Sequence, residues 1–191
     1  HMASIHDPDE ELVSAAQNGN KEALEALLKN HYEKIWGICR RIMQNESDAL
    51  DATQESLITI ATRIEKFKGN SKFSTWVYRV TTNTCLDELR KKSRRPLLNF
   101  DSEETDQPSI NQVESSVVDK LFIEEVLNQL PAEFKTVLIL RDVCDLDYAE
   151  ISETLDIPIG TVRSRISRGR VAINNYLANG NQFDNWKGQT K

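Results

Sequence analysis

A chain of 191 residues, 39% of them hydrophobic, is long enough for one large domain or two small ones and can bury a packed core. A charged fraction of 28% and a formal net charge of −6 are ordinary for a water-soluble protein. No run approaches the roughly 18 apolar residues of a membrane span, and no signal peptide is recognisable. We therefore expect a cytoplasmic protein whose residues 1–9 are a tag remnant and an N-terminal tail.

The cysteines and histidines predict neither a disulfide framework nor a metal site. Cys39, Cys85 and Cys144 are odd in number and far apart in the sequence, and His31 is the only histidine outside the N-terminal tail. This usage is typical of reduced thiols inside a cell. We therefore expect no bound metal and no cofactor.

The net charge conceals two basic blocks in an acidic frame. Residues 61–96 carry a net charge of +7 and residues 159–171 carry +4, whereas residues 1–60, 97–119 and 120–158 each carry −6. A single basic stretch is often a solvated surface, but two blocks separated by acidic sequence indicate two contacts with a polyanion.

Helical periodicity dominates the first 96 residues, and no convincing strand pattern occurs there. The spacing predicts helices over residues 10–28, with a turn at residues 18–20, and over residues 32–43, 47–67 and 74–92. On the third of these helices, the residues expected to face a core are Leu50, Leu57, Ile58, Ala61 and Ile64. Its expected polar surface consists of Asp48, Asp51, Gln54 and Glu55.

The second half of the sequence predicts a linker and then another helical unit. Residues 97–118 are acidic, contain serine and proline and lack periodicity, which is typical of a flexible linker. Helices are predicted over residues 121–130, 132–143, 148–155 and 159–177, and residues 179–191 form a polar tail. The expected fold is all-α, with small helical domains at residues 10–96 and 119–178 joined by the acidic linker.

The second domain contains the parts of a helix-turn-helix. Asp147 and Glu150 have the spacing of a capping box that starts a short helix. The segment 156–158 supplies a turn, because Pro158 disfavours helix in the preceding residue and suits the first turn of the next helix. The corner is predicted to be packed by Ala149, Ile151, Ile157 and Val162.

The helix after this turn has an apolar and a basic face when its residues are projected at about 100° each. The predicted buried stripe is Ile159, Val162, Ile166, Gly169 and Ile173. The predicted contacts to a DNA duplex are Thr161, Arg163, Ser164, Arg165, Ser167, Arg168 and Arg170. Arginine can bind guanine as a fork in the major groove, and serine permits close approach. The alternative is a solvated surface helix, although such a helix usually includes glutamate and this one has none.

The first basic block combines cations with aromatic residues, a pattern typical of proteins that bind single-stranded nucleic acid. The candidate contacts are Lys68, Asn70, Ser71, Lys72, Phe73, Trp76, Tyr78, Arg79 and Asn83. The loop at Gly69-Asn70 can cradle an extruded base, and Asn83 can read its edge. The alternative is that Phe67, Phe73 and Trp76 simply form the core.

Three stretches resemble bacterial sigma factors of the extracytoplasmic-function group of the sigma-70 family: DALDATQES, FKGNSKFSTWVYRVTTNTCLDELRKKSRR and LPAEFKTVLILRDVCDLDYAEISETLDIPIGTVRSRISRGR. The resemblance extends over roughly residues 10–178. In the third stretch, LP, Leu140-Arg141, YAEI and GTVRSR all stand at the family spacing. Asp145 stands where the family often has glycine, and Ser167 stands where it often has a bulky residue.

The resemblance implies that the first domain is region 2, which binds the clamp helices of the RNA polymerase β′ subunit and reads the melted −10 element. The implied polymerase contacts are Asp48, Asp51, Gln54, Glu55, Leu57 and Ile58. The candidate contacts of the first basic block correspond to the residues of region 2 that bind the −10 element. The second domain becomes region 4, which lies at the polymerase β flap and reads the −35 element, and the linker is expected to thread toward the RNA path.

The resemblance also implies how the protein is regulated. We expect a monomer that forms a one-to-one complex with an anti-sigma factor, which holds it at the inner membrane when the anti-sigma factor is membrane-bound. No catalytic residue and no small-molecule substrate are expected, because the polymerase carries out the chemistry.

Two other classes of function are compatible with parts of the sequence. An autonomous helix-turn-helix regulator would bind duplex DNA tightly without polymerase. This hypothesis does not explain the first basic block. A DNA-processing enzyme such as a recombinase would need strands alternating with helices around a nucleophile, and the first 96 residues predict no strand.

Overall fold

The computed structural model describes residues 6–94 and 124–179, and all regular secondary structure in these ranges is helical. The described residues divide into two compact units, residues 6–94 and, apart from residues 153–155, residues 124–179. The predicted all-α class and the pair of helical units are confirmed. The predicted linker at 97–118 and the tail beyond residue 179 lie outside the described residues. No helix within the described ranges is long and apolar enough to cross a membrane.

Residues 6–94 form four helices and one 3₁₀ turn. The helices span Glu10–Gln17 (α1), Lys21–Ile42 (α2), Glu46–Arg63 (α3) and Phe73–Arg94 (α4), and the 3₁₀ turn spans Ile64–Lys66. Gly19 follows α1 with a φ of +94°, a left-handed conformation that glycine adopts without strain. Asn20 then caps α2 by accepting a hydrogen bond from the backbone N–H of Ala23. The predicted turn at residues 18–20 is confirmed.

α2 is one continuous helix, whereas the sequence predicted a separate helix from residue 32. No glycine or proline occurs between residues 21 and 36, so no residue in this stretch breaks the helix. The side chains that α2 buries include Leu27, Ile35, Ile38, Cys39 and Ile42. Tyr32 lies outside this stripe and is 42% exposed.

The buried face of α3 consists mostly of small residues, and this corrects the predicted core except at Ile64, which is buried in the 3₁₀ turn as predicted. The buried residues are Ala49, Ala52, Thr53, Ser56 and Ile60. Small side chains let α3 pack closely against α2 and α4. The buried hydroxyls of Thr53 and Ser56 donate to the carbonyls of Ala49 and Ala52 at 2.8 and 2.7 Å, and these hydrogen bonds offset the cost of removing the hydroxyls from water. Leu50 and Ile58, both predicted to face the core, are 45% and 57% exposed.

Two cysteines that are far apart in the sequence are neighbours in this unit. The Cys85 thiol donates a hydrogen bond to Sγ of Cys39 over 3.6 Å. This hydrogen bond, together with burial, raises the pKa of Cys85, which therefore stays a neutral thiol. Cys39, Cys85 and Cys144 are all buried and free of disulfides, as predicted for reduced thiols.

Four more helices lie within residues 124–179. They span residues 124–129 (α5), Ala132–Leu138 (α6), Tyr148–Leu155 (α7) and Ile159–Asn179 (α8). α6 continues into a π-helical turn at Ile139–Val143. The buried core of this unit includes Leu140, Ile151, Val162 and Ile166.

α7 and α8 form the predicted helix-turn-helix. The capping box at the start of α7 is present: Asp147 Oδ1 accepts from the Glu150 N–H at 2.8 Å, and Glu150 Oε1 accepts from the Asp147 N–H at 3.1 Å. Asp156 ends α7 in a left-handed conformation, with a φ of +53°. Ala149 and Ile159 were predicted to be buried but are exposed, because each lies in the first turn of its helix at the edge of the corner.

Candidate functional site

α8 presents a basic surface opposite its buried stripe. The exposed residues of this surface are Arg163, Ser164, Ser167 and Arg168. On the opposite side, Val162, Ile166 and Gly169 are buried. A Cβ atom on Gly169 would lie 2.9 Å from Cδ1 of Leu138, so glycine allows α8 to approach α6 closely. The predicted division of α8 into an apolar and a basic face is confirmed for these positions.

Two arginines of the basic surface lie against aromatic rings of their own unit. The guanidinium carbon of Arg163 lies 5.9 Å from the centroid of the Tyr148 ring, and that of Arg168 lies 5.4 Å from the centroid of the Phe134 ring. A ring attracts the guanidinium group through the ring face and restricts where the side chain goes. The two charges are therefore held at defined places on the surface.

The arginines predicted on the flanks of α8 are paired with acids. Arg165 lies 3.7 Å from a carboxylate oxygen of Glu133, and Arg170 lies 3.0 Å from one of Asp142. Such partly exposed pairs are worth about 0–1 kcal/mol. A DNA phosphate can therefore replace the acid at low cost. Thr161, also in the predicted set, is half-buried in the first turn of α8.

The loop of residues 68–72 joins the 3₁₀ turn to α4. Lys68, Asn70 and Lys72 are exposed, Ser71 is half-buried, and Gly69 has a φ of +76°. A cavity of about 270 Å³ separates this loop from α1. Its lining residues are Asp7, Glu10, Val13, Ser14, Gln17, Phe67, Lys68, Gly69 and Ser71. The predicted loop therefore has a hollow beside it.

The aromatic residues of this region are partly core. The ring centroids of Phe67, Phe73 and Trp76 lie 5.5 to 5.7 Å from one another. Phe73 is only 1% exposed, so its ring cannot stack on a base, and its place among the predicted DNA contacts is corrected. Phe67 and Trp76 are half-buried and keep an exposed edge.

A second cavity, of about 370 Å³, lies between α3 and α4. It brings together Trp76, Arg79 and Asn83 of the predicted −10 set, while Tyr78 does not line it. The other lining residues are Glu55, Thr59, Arg63, Val80, Thr84, Asp87, Glu88 and Lys91. The mixture of acids and cations makes this cavity polar.

The solvent-facing side of α3 combines acids with exposed apolar residues. Asp51, Gln54, Glu55 and Ile58 are exposed, and Leu57 is half-buried. Leu50, which the sequence placed in the core, joins this face instead. Asp48 forms an ion pair of 2.6 Å with Lys92 of α4. An apolar patch rimmed by polar residues is typical of a protein-binding surface.

The fold and these surfaces define an all-helical protein with a helix-turn-helix and two basic surfaces of the kind that bind nucleic acid. Among the residues that the structure describes, no cluster of histidine, cysteine and acidic side chains can hold a metal ion. Sequence comparison places the chain within one family. Sigma-70 region 2 matches residues 27–95, and Sigma-70, region 4 matches residues 123–173.

Two curated relatives extend the match over nearly the whole chain. The ECF RNA polymerase sigma-E factor of Haemophilus influenzae is 36% identical over 88% of this chain and 95% of its own length. The ECF RNA polymerase sigma factor SigW of Bacillus subtilis is 32% identical over 86% of this chain and 94% of its own length. The chain belongs to the sigma-70 family of RNA polymerase sigma factors, in the ECF group.

Solved structures share the fold. The sigma factor RpoE, in complex with the anti-sigma factor NepR from Bartonella quintana, has a TM-score of 0.69 at 20% identity and covers 82% of this chain and 97% of its own. CnrH, in complex with the cytosolic domain of CnrY, has a TM-score of 0.66 at 19% identity and covers 90% and 98%. As a member of the family, the chain acts in transcription initiation with core RNA polymerase and promoter DNA. Sigma factors are initiation factors rather than catalysts.

Proposed function

We propose a role for each surface of this sigma factor. The N-terminal unit docks on core RNA polymerase through α3 and binds the melted −10 strand through the loop of residues 68–72 and the two cavities. The C-terminal unit binds the −35 element as a duplex through α8. The proposed domain bounds are 10–96 and 119–178, with the acidic linker at 97–118.

The exposed apolar side chains of α3 support its role as the polymerase-docking surface. Ile58 is 57% exposed and Leu50 is 45% exposed, although both are large and apolar. Asp51, Gln54 and Glu55 surround them. Burying such residues against a partner is favourable at about 25 cal/mol per Å² of apolar surface. We add Leu50 to the docking residues and retain Asp48, which reaches a partner by exchanging its ion pair with Lys92.

The cavity beside the loop supports binding of an extruded base. Its volume of about 270 Å³ lies just below the range of about 300–1,000 Å³ that is usual for ligand sites, so it suits a single base better than a larger ligand. Lys68 and Lys72 are exposed beside it, where they can follow the phosphates on either side of that base. The second cavity can receive the neighbouring part of the strand along Trp76, Arg79 and Asn83.

The basic surface of α8 supports recognition of a duplex. Arg163 and Arg168 are exposed about 1.4 turns apart on the helix, and Ser164 and Ser167 lie between them. An α-helix fits the major groove of duplex DNA, where the guanidinium group of an arginine can bind guanine through two hydrogen bonds. Arg165 and Arg170 flank this surface and reach phosphates by exchanging their acidic partners.

We propose that an anti-sigma factor restrains the protein in a one-to-one complex in the cytoplasm. The RpoE neighbour is bound to an anti-sigma factor. A partner that covers Leu50 and Ile58 would bury apolar surface and exclude polymerase from α3. The chain itself has no catalytic role, because the polymerase forms the RNA bonds.

The observation that carries the proposal is that α3 leaves large apolar residues exposed in the same unit as the basic loop. Purified protein and core polymerase should start transcription from a promoter library randomised at two elements. The selected promoters should share sequence at both elements, and core polymerase without the protein is the control. Failure to bind core polymerase, combined with tight binding of the protein alone to duplex DNA, would favour an autonomous regulator and refute the proposal.

A further inference from the structure

The loop of residues 68–72 is fastened at both of its ends by side chains from the beginning of the chain. The first end of the loop, residue 68, follows Phe67. The second end, residue 72, precedes Phe73, which is the first residue of α4. Neither contact is local, because the residues involved are separated by 47 to 66 positions.

Gln17, the last residue of α1, fastens the first end. Its side-chain nitrogen donates to the carbonyl oxygens of Ile64 and Phe67 at 3.0 and 2.8 Å. An amide group carries two hydrogens, so each carbonyl receives one. The two hydrogen bonds fix the direction in which the chain leaves the 3₁₀ turn and enters the loop.

Asp7 fastens the second end. Its Oδ2 accepts the backbone N–H of Phe73 at 2.7 Å, and its Oδ1 accepts the N–H of Asp9 at 2.9 Å. Asp9 in turn pairs with Nε2 of His31 at 2.9 Å, and the His31 ring meets the Phe73 ring edge-on at 5.4 Å. The start of α4 is thus held by a carboxylate that satisfies one of its free N–H groups.

Between the two ends the loop has few contacts of its own. Nothing lies within 4 Å of the position that a Cβ on Gly69 would take. The Ser71 hydroxyl donates to the adjacent carbonyl of Lys72 at 3.1 Å, a contact within the loop. In the part of the chain that the structure describes, the side chains of Lys68 and Asn70 have no hydrogen-bond or ion-pair partner. The ends therefore decide where the loop lies.

We propose that Gln17 and Asp7 are positioning residues for −10 recognition, which hold the loop open toward its cavity before DNA arrives. This inference rests on the proposed function of the loop. A loop that is already ordered pays no ordering entropy when the strand binds, so its affinity for the strand is higher. A loop whose ends are fixed also cannot rearrange around a wrong base, so it discriminates better between bases. Both residues also line the cavity, on the wall opposite the loop. We call them the loop anchors.

Replacing one anchor tests the proposal in the reconstituted holoenzyme. Gln17→Met keeps the length of the side chain but donates no hydrogen bond. On the promoter library randomised at both elements, we expect about a tenfold loss of discrimination among −10 sequences. Preference among −35 sequences should not change, and it serves as an internal control in the same experiment. Affinity for core polymerase should stay within about twofold, because α3 is not altered.

Three further variants separate positioning from a general loss of structure. Glu11→Met adds the same side chain to the exposed face of α1 and should behave as the wild type. Gln17→Lys supplies N–H donors again and should recover discrimination among −10 sequences, which extra charge alone would not restore. Asp7→Ala releases the other end of the loop and should give the same selective loss as Gln17→Met.

The outcomes distinguish this inference from the proposed function. Unchanged −10 discrimination in both Gln17→Met and Asp7→Ala would overturn it. A parallel loss of core binding and of −35 preference would also overturn it, because that result marks a purely structural role. If the loop does not read the −10 strand at all, Asn70→Ala will leave −10 discrimination intact as well. If Asn70→Ala flattens the preference among −10 sequences and the anchor variants do not, only the inference fails.

Discussion

The basic surfaces of the two units are fixed in different ways. On α8 the arginines stand on a regular helix, and each has a partner at its own side chain, such as the Tyr148 ring for Arg163 or the carboxylate of Asp142 for Arg170. In the N-terminal unit the lysines stand on an irregular loop whose backbone is fastened at its ends by Gln17 and Asp7.

This difference follows from the form of DNA that we assign to each unit. A duplex groove has a nearly constant shape, so it is matched by a rigid helix with individually positioned side chains. A melted strand presents separate bases. Each base is bound in a cavity of the protein, and the protein loop beside that cavity must have a fixed backbone conformation. Substitutions on α8 should therefore act locally, whereas changes at the loop ends should alter recognition by residues that are not themselves replaced.

Ile58→Ser should give the largest effect, because it removes docking and leaves both DNA-binding surfaces unaltered. Loss of a large apolar side chain at the centre of an interface costs about 2 kcal/mol or more, or roughly 30-fold in affinity for core polymerase. Competition binding to core polymerase measures it. Tyr32→Ser, which removes a side chain of α2 that is 42% exposed, is the matched control. Equal losses of affinity for core polymerase in the two variants would show that α3 is not the docking surface.

Arg168→Lys should weaken −35 recognition by about 1–3 kcal/mol, because lysine keeps the charge but lacks the planar fork. The loss should appear at one base pair of the −35 element, with −10 preference unchanged. Selection of promoters by the variant holoenzyme measures the sequence preference at both the −35 and the −10 element. Arg170→Lys, at a position paired with Asp142, serves as the control and should leave sequence preference as it is. An unaltered −35 preference in Arg168→Lys would show that this side chain reads no base.

Lys68→Ala should change the salt dependence of binding more than the choice of sequence. One phosphate contact to a single strand contributes about 0.7 to the slope of log affinity against log salt concentration. Titration of holoenzyme with single-stranded −10 DNA at several salt concentrations measures this slope. Lys29→Ala removes an exposed lysine that pairs with Glu25 on α2, and it should leave the slope unchanged. A slope that stays constant in Lys68→Ala would contradict a phosphate contact there.

Glu133→Gln should have the smallest effect, because it only frees Arg165 from a partly exposed ion pair. We expect duplex binding to strengthen by about 0–1 kcal/mol at low salt, since the arginine no longer exchanges one anion for another. Glu125→Gln removes an exposed charge of α5 and corrects for net charge. Weaker duplex binding in Glu133→Gln than in Glu125→Gln would mean that the acid orients Arg165 for DNA.

Local signals in the sequence predicted much of the fold. The capping box of Asp147 and Glu150, the turn around Gly19 and the apolar stripe through Val162 and Ile166 each depend on residues within a few positions of one another. Their geometry is therefore set by spacing alone. The basic surface of α8 follows from the same periodicity, which is why its exposed residues were predicted correctly.

The remaining features depend on contacts between distant residues. Leu50 and Ile58 were predicted to be core because large apolar residues usually are, but α3 packs through Ala49 and Ala52 and leaves them outside. Phe73 is buried because its ring packs against Phe67 and against helices that precede it in the sequence. The loop anchors left no signal in the sequence, because one glutamine and one aspartate carry no periodic pattern.

The claim that one unit binds melted strand while the other binds duplex can be measured with two synthetic promoters. The first is duplex at −35 and has an unpaired non-template strand at −10, and the second reverses this arrangement. Holoenzyme should bind the first promoter at least about tenfold more tightly than the second, since unpaired −10 bases are available for stacking only there. Equal affinity for the two DNAs would contradict this claim.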